Sequence, residues 1–288
     1  MNDAPMTPPA QIFRRLMRSA PFQPATNLWR AVELDAVQQY GLPAGRALDL
    51  GCGDGKLTRV LLDAMAGAAP VNEWVGVDID PEETAQARSG GLYRRVHTGS
   101  AATIAEPDAS FDLVFSNSVL EHIGPIEAVL AEAARLLKTG GRFICTVPGP
   151  DFHACLRGPR SSSTTRADYE REIDTRCAHL RYWDVPTWQR QFDACGLALS
   201  HHGAYLGERQ TQRWERLSAV TGGLAYRLYG RRARPIEIQR RLRLRNERPG
   251  VLGVLGAAAS GWLAAGCSLA ADAPDRRFGC LLLDAVKR

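Results

Sequence analysis

Ala47-Leu-Asp-Leu-Gly-Cys-Gly-Asp-Gly-Lys-Leu57 is an apolar run that enters three glycines at alternate positions and leaves as a helix-like segment. Without Cβ atoms, Gly51, Gly53 and Gly55 let the backbone turn sharply and lie against a ligand, and the following helix aims its free N–H groups at that ligand. The stretch therefore predicts strand, cradle and helix, a binding site for a nucleoside-type cofactor. A dinucleotide turn would place a third glycine three residues after its second, and that place holds Lys56. Asp49 and Asp54 flank the glycines, and two carboxylates beside a pyrophosphate would repel it.

S-adenosylmethionine carries a cationic sulfonium and amine and no phosphate, so acids around a glycine turn suit it. At Leu48-Asp-Leu-Gly-Cys-Gly-Asp-Gly55 the sequence resembles the first motif of the class I S-adenosylmethionine-dependent methyltransferases, in particular their type 11 domain. The resemblance runs from about 45 to 148. Trp74-Val-Gly-Val-Asp-Ile-Asp80 reads as a second parallel strand that delivers Asp78 to a ribose diol. Ile79 is expected either on the adenine ring, as in the family, or in the core. Asp80-Pro81-Glu82-Glu83 reads as a helix start. Ser100 and Ala101, in Arg95-Val-His-Thr-Gly-Ser-Ala101, fall where the family binds adenine, with serine in place of its usual aspartate.

The resemblance implies a Rossmann-like α/β fold: seven strands, mostly parallel with the last antiparallel, helices on both faces, and a helical insertion before the last strand. The cofactor set it implies is Asp49, Gly51, Cys52, Gly53, Gly55, Asp78, Ile79, Ser100, Ala101 and Asn117. Ser110-Phe-Asp-Leu-Val-Phe-Ser-Asn-Ser-Val-Leu-Glu-His-Ile123 looks like strand four, where apolar periodicity gives way to polar residues at the end that faces ligands in open α/β sheets. His122 is the expected general base, because an imidazole titrates near neutral pH, with Glu121 orienting it. His153, after strand five, is a second candidate. Related quinone methyltransferases carry a Glu-x-x-Glu-His string that can support a divalent metal; here Ser118 stands for the first glutamate, and no metal is expected. The Asn-Pro-Pro-Tyr type motif of base amino-group methylases is absent, which favours an oxygen acceptor and leaves carbon open.

The 288 residues have room for one such domain plus additions. Seven cysteines form no C-x-x-C pair, and Cys52, Cys145 and Cys280 read as small core residues. The start shows no apolar leader, so a cytoplasmic location is expected. Charge is uneven: Leu206 to Pro249 holds twelve arginines against four glutamates in a chain of net charge +5. Val251 to Ala271 follows without a charge, long enough as a helix to cross a bilayer yet rich in glycine and alanine. With strands six and seven read at Leu197–Tyr205 and Phe278–Val286, both stretches form one insertion. Two readings stay open for 206–271, contact with the inner face of the cytoplasmic membrane or a helical lid; nucleic acid is not expected, since aromatic stacking residues are few.

The expected organisation is a helical cover at 1–44, a cofactor-binding core at 45–205, the insertion at 206–275 and the last strand at 276–288. In the cover, Asn27 reads as a helix cap, and Arg30 and Glu33 as either an exposed ion pair or a pair facing the site. The segment Arg171–Trp188, rich in arginine, tyrosine and tryptophan, suits a polar or anionic acceptor. Together these point to an O-methyltransferase acting on a sugar or lipid-linked saccharide, as in bacterial methyltransferases linked with surface polysaccharides. The alternatives are an isoprenoid-quinone or other small-molecule methyltransferase, and a membrane adaptor that binds the cofactor without turnover.

Overall fold

The computed structural model describes residues 7–65, 71–159, 161–228, 258 and 276–288. Seven strands form one sheet: β1 (Gly45–Leu50), β2 (Val71–Asp78), β3 (Arg95–Thr98), β4 (Phe111–Asn117), β5 (Leu137–Pro148), β6 (Leu197–Gly207) and β7 (Phe278–Lys287). Their order is β3-β2-β1-β4-β5-β7-β6, with β7 antiparallel to both of its neighbours. The expected Rossmann-like sheet is therefore present. The order reverses between β1 and β4, which pair directly through Ala47 with Leu113 and Asp49 with Phe115. A crevice opens beyond the carboxyl ends of two strands that diverge in this way, and that is where such sheets take ligands.

Strand alternation divides the core between two faces. Ala47, Leu113, Phe115 and Ile144 point to one cluster, and Leu48, Leu50, Val114, Phe143 and Cys145 to the other. The first face is covered by α1 (Pro9–Ser19), α2 (Pro24–Tyr40), α3 (Lys56–Ala64), the adjoining α4 (Pro81–Ser89), and pieces from later in the chain. The second face is covered by α5 (Ile126–Leu136) and, further along, α8 (Val185–Ala194). In α1 the buried set Ile12, Phe13, Leu16 and Met17 follows helical spacing, with Arg14, Arg15 and Arg18 between.

The helix start expected at Asp80 is present. The Asp80 carboxylate accepts from Glu82 N and Glu83 N, with Pro81 at the first helical position. Asp184 likewise caps α8 (Val185–Ala194) through Thr187 N. Asn27 is a correction: α2 begins at Pro24, and Asn27 lies buried inside it, donating to Ala20 O at 2.7 Å and to Met17 Sδ at 3.1 Å. An amide satisfied by the preceding helix does not have to serve as a cap. Lys138-Thr-Gly-Gly141 interrupts β5, whose pairing with β4 jumps from Leu137 to Arg142.

After β5 come the short α6 (Phe152–Cys155) and α7 (Arg166–Cys177), and after β6 come α9 (Glu208–Val220) and α10 (Gly222–Leu228). Val251 to Ala271, apart from Ala258, and most of the arginine-rich stretch lie outside the described residues. No described helix is long and apolar enough to cross a membrane.

Candidate functional site

β1 runs into the glycine turn with φ of +81° at Gly51 and +52° at Gly53. Gly51 N and Cys52 N both donate to Val77 O, which ties the turn to β2. The two glycines are required for different reasons. A Cβ on Gly51 would lie 2.4 Å from Val119 Cγ2, whereas one on Gly53 would meet nothing nearer than Glu83 Oε2 at 3.8 Å. Gly51 is thus demanded by packing beneath the turn, and Gly53 leaves an open concavity on its outer side.

Asp78 ends β2 at the lip of that concavity. Its Oδ2 accepts from Gly53 N and its Oδ1 from Asp80 N, both at 2.9 Å. Ile79 follows with 76 % of its surface exposed, so it is not a core residue. An apolar side chain held bare beside a fixed carboxylate suits a flat base above a ribose. Gly99 N, at the end of β3, donates to Asp78 O, and the Ser100 hydroxyl accepts from Ala102 N at 3.1 Å. Gly53, Asp78, Ile79, Ser100 and Ala101 therefore share one rim.

Asp49 and Cys52 sit below it. Asp49 is buried and accepts from the hydroxyls of Thr58 at 2.5 Å and Tyr93 at 2.6 Å. Burial pushes its carboxyl up to about 6 despite those donors. The Cys52 thiol packs against Gly76, and burial raises its pKa as well. Lys56, at the third-glycine place, pairs with Asp54 at 2.9 Å and carries no ligand-specific geometry of its own.

Residues 48–145 match the methyltransferase domain family. The chain carries a class I S-adenosylmethionine-dependent methyltransferase domain. A demethylmenaquinone methyltransferase of Symbiobacterium thermophilum is 36 % identical over 126 residues, 42 % of this chain and 49 % of that one. A probable S-adenosylmethionine-dependent methyltransferase of Mycolicibacterium smegmatis is 28 % identical over 174 residues, covering 59 % and 65 %. The chain thus spans about half to two thirds of these relatives. Among solved structures, a SAM-dependent methyltransferase of Thermotoga maritima, titled a possible histamine N-methyltransferase, shares the fold at TM-score 0.53 and 15 % identity over 97 % of this chain and 100 % of that one. The [4+2]-cyclase SpnF shares it at TM-score 0.50 and 21 % identity, covering 88 % and 80 %. The fold of this methyltransferase domain accordingly does not dictate the reaction, and the residues at the crevice must.

The cofactor of such a domain is S-adenosylmethionine, and the residues present fit it. The concavity at Gly53, the Asp78 carboxylate and the bare Ile79 provide in one place a backbone cradle, a hydrogen-bond acceptor and an apolar platform.

At the other side of the crevice, β4 ends in Asn117 and Ser118, and both turn toward Glu33 of α2. Glu33 Oε1 accepts from Ser118 Oγ at 2.5 Å and Tyr205 OH at 2.8 Å; Oε2 accepts from Arg30 at 2.5 Å and Asn117 Nδ2 at 3.0 Å. Asn117 Oδ1 in turn accepts from Thr146 Oγ1. Burial works against the Glu33 charge, yet Arg30 and the converging hydroxyls outweigh it and hold the carboxyl below its usual range. The exposed-pair reading of Arg30 and Glu33 is therefore wrong: the glutamate is fully buried and only 24 % of the Arg30 side chain is exposed. Ser118, read as a missing carboxylate, is instead bonded to one supplied by the cover helix.

A single-turn helix, Leu120–His122, follows β4. His122 bonds through Nδ1 to Ala178 O at 2.9 Å, and its Nε2 lies 3.7 Å from Glu121 Oε1. Glu121 is 1 % exposed, and burial pushes its carboxyl up to about 8. The segment 178–181 is laid along this turn: Leu180 N donates to Glu121 O, and Arg181 donates to Leu120 O and Gly124 O. It brings His179 beside His122, with ring centroids 5.5 Å apart. His179 is the functional candidate that the sequence did not reveal, since it lies 57 residues beyond His122 with no motif around it. Burial lowers its pKa to about 3, so the ring is neutral. His153 joins the same group through Asp174, at 2.8 Å, which also accepts from Tyr182 OH at 2.5 Å.

Trp29, Phe152 and Trp214 wall this histidine group, with Trp29 and Phe152 each about 5.3 to 5.8 Å from Trp214. Beyond the wall lies a cleft of about 620 Å³ whose lining includes Arg157, Tyr169, Arg176, Glu215 and Arg216. Glu215, next to Trp214, accepts from Arg157 N, Gly158 N and Tyr169 OH and so fixes the cleft floor.

Proposed function

We propose that the protein transfers the methyl group of S-adenosylmethionine to a hydroxyl oxygen of a polar acceptor, a sugar or lipid-linked saccharide, at the crevice between β1 and β4. The observation that supports the reading is that adjacent strands each lead at their carboxyl ends into a polar group: β1 into the turn whose Gly53 N donates to Asp78, and β4 into the Glu121–His122 turn, beside which His179 lies.

When bound, the cofactor supplies a methyl carbon activated by a sulfonium. The chain's own residues do the rest. Gly53, Asp78, Ile79, Ser100 and Ala101 hold the adenosine half, with Asp49, Cys52 and Gly55 shaping the turn from beneath. Asn117 keeps the end of β4 in place through Glu33 and Thr146. The acceptor oxygen bonds to the methyl carbon as the carbon–sulfur bond breaks, its electron pair staying on sulfur. The hydroxyl proton leaves at the Glu121–His122 group, where burial pushes the Glu121 carboxyl up to about 8 and His122 Nε2 lies 3.7 Å from it. His153 supports the group from behind through Asp174. Trp29 and Phe152 exclude water from it.

The arginine- and tyrosine-lined cleft behind the aromatic wall favours a hydroxylated or anionic acceptor over an apolar ring. Contact of residues 206–271 with the inner membrane face belongs to the same reading, since a lipid-linked acceptor resides there.

The deciding experiment supplies labelled S-adenosylmethionine and purified protein to fractions of a whole-cell extract. Label in a glycan or glycolipid fraction is the expected result. Label in the quinone pool would replace the saccharide by an isoprenoid quinone, the acceptor class suggested by the partial likeness to the Symbiobacterium enzyme. Cofactor binding without label in any fraction would make the protein a non-catalytic adaptor.

A further inference from the structure

We infer that Glu121, His122 and His179 form a binding site for one divalent transition ion of the zinc class, open on the side that faces the acceptor. The inference deepens the proposed methyl transfer and rests on that reading for the ion's role, though not for its binding.

One ligand atom from each of the three side chains lies within 4.8 Å of the others. Two come from the turn after β4 and the third from the segment after α7, so only the tertiary fold assembles the set. The hydrogen bonds behind the rings select the right form of each imidazole. Ala178 O can only accept, so His122 donates from Nδ1 and carries its lone pair on Nε2. Tyr182 OH spends its proton on Asp174, so its oxygen accepts from His179 Nδ1, again placing the lone pair on Nε2. Asp174–Tyr182–His179 is the carboxylate-backed arrangement that orients a ligating imidazole and raises its basicity.

A second observation is independent of the rings. Glu121 Oε2 is buried and has no hydrogen-bond partner among the described residues. A buried carboxyl oxygen left in this state is costly unless something satisfies it, and a cation would. The segment that carries His179 is fixed by Leu180 N to Glu121 O and by Arg181 to Leu120 O and Gly124 O, so the third ligand is held before any ion arrives.

Two imidazoles and one carboxylate favour zinc, cobalt or iron over magnesium or calcium, which prefer oxygen alone. Three protein ligands leave a position for an acceptor hydroxyl, and an ion there would lower the pKa of that hydroxyl; with Glu121 and His122 ligating the ion, the proton would pass to solvent and not to those side chains, which serve as its acceptor only in the ion-free protein. This differs from the expectation of no metal, which considered Ser118 and could not see His179.

The test uses the full chain freed of metal with a chelator and titrated with Co(II). Visible d–d absorption should saturate at one ion per chain and be abolished by one equivalent of Zn(II). Glu121→Gln and His179→Gln should each weaken Co(II) binding at least tenfold, Tyr182→Phe by roughly ten- to a hundredfold, and His202→Gln not at all. Far-UV circular dichroism confirms that each variant folds; where one does not, the rise in wild-type melting temperature with Zn(II) and its absence in the remaining variants carry the test. No saturable binding, unchanged affinity in His179→Gln, or an intense thiolate-to-cobalt band that assigns the ion to cysteine would each overturn the inference. Calorimetry with S-adenosylmethionine on the metal-free protein separates the two proposals: cofactor binding without ion binding removes only the ion, and ion binding without cofactor binding removes the methyl transfer.

Discussion

Replacing Glu33 by glutamine tests the buried hub directly, because the side chain keeps its shape while its charge is removed. In the wild type the carboxylate receives four donors, from Arg30, Asn117, Ser118 and Tyr205. The glutamine oxygen can still face Arg30 and Asn117, whose N–H groups only donate, so its NH₂ must face the Ser118 and Tyr205 hydroxyls, which then turn away. Hydrogen bonds to a charged group contribute about 1.5–3 kcal/mol each and neutral ones about 1. Losing the buried partner of a guanidinium costs about 3–5 kcal/mol, less here because Arg30 is 24 % exposed and water reaches it. The expected loss is about 3 kcal/mol, read from urea unfolding, with a melting temperature lower by roughly 6–12 °C. The pH dependence has a definite sign. The folded pKa of Glu33 lies below its ordinary 4.5, so the stabilisation is present above about that pH and is lost as pH falls through the folded value. Wild type and Glu33→Gln should therefore converge in acid. A loss under about 1 kcal/mol at neutral pH, or a gap that stays constant into acid, would refute the account of the hub.

Three other outcomes are expected. Asp49 has its folded pKa raised to about 6 from 3.8, so its contribution favours folding at low pH and is lost as pH rises through 6; Asp49→Asn should remove up to about 3 kcal/mol of that slope, measured by unfolding between pH 4 and 7. Gly51→Ala should destabilise by more than about 2 kcal/mol through its clash with Val119, while Gly53→Ala, open on that side, should cost about 1 kcal/mol and act chiefly on cofactor affinity by calorimetry; equal effects on stability would contradict the division. Asp78→Ala removes the acceptor of Gly53 N and Asp80 N and should weaken S-adenosylmethionine binding at least tenfold, and unchanged affinity would strike Asp78 from the site.

Features that depend on neighbours in sequence were legible from the sequence. The glycine turn, the Asp80 cap and the strand at Phe111–Asn117 follow from periodicity, propensity and a motif of adjacent residues, while the antiparallel end of the sheet was implied by the family resemblance. Asn27 misled because its side-chain type suits a cap, while burial against Met17 and Ala20 decides its use. Ile79 was undecided between core and ligand platform, since an apolar residue at a strand end looks the same in either place until the sheet edge is built.

The sequence by itself determined the glycine turn: consecutive residues between one strand and the next helix form it, and the chain geometry of a few residues suffices to place them. The tertiary structure alone decided which side chains meet on the other side. Glu33 reaches Ser118 from 85 residues away, and His179 reaches His122 from 57, by helix packing and by a segment pinned along a turn. Such meetings depend on how layers stack over the sheet. No local pattern in the chain encodes that distance, so the carboxylate hub and the two-histidine group emerge only when the sheet and its cover are in place.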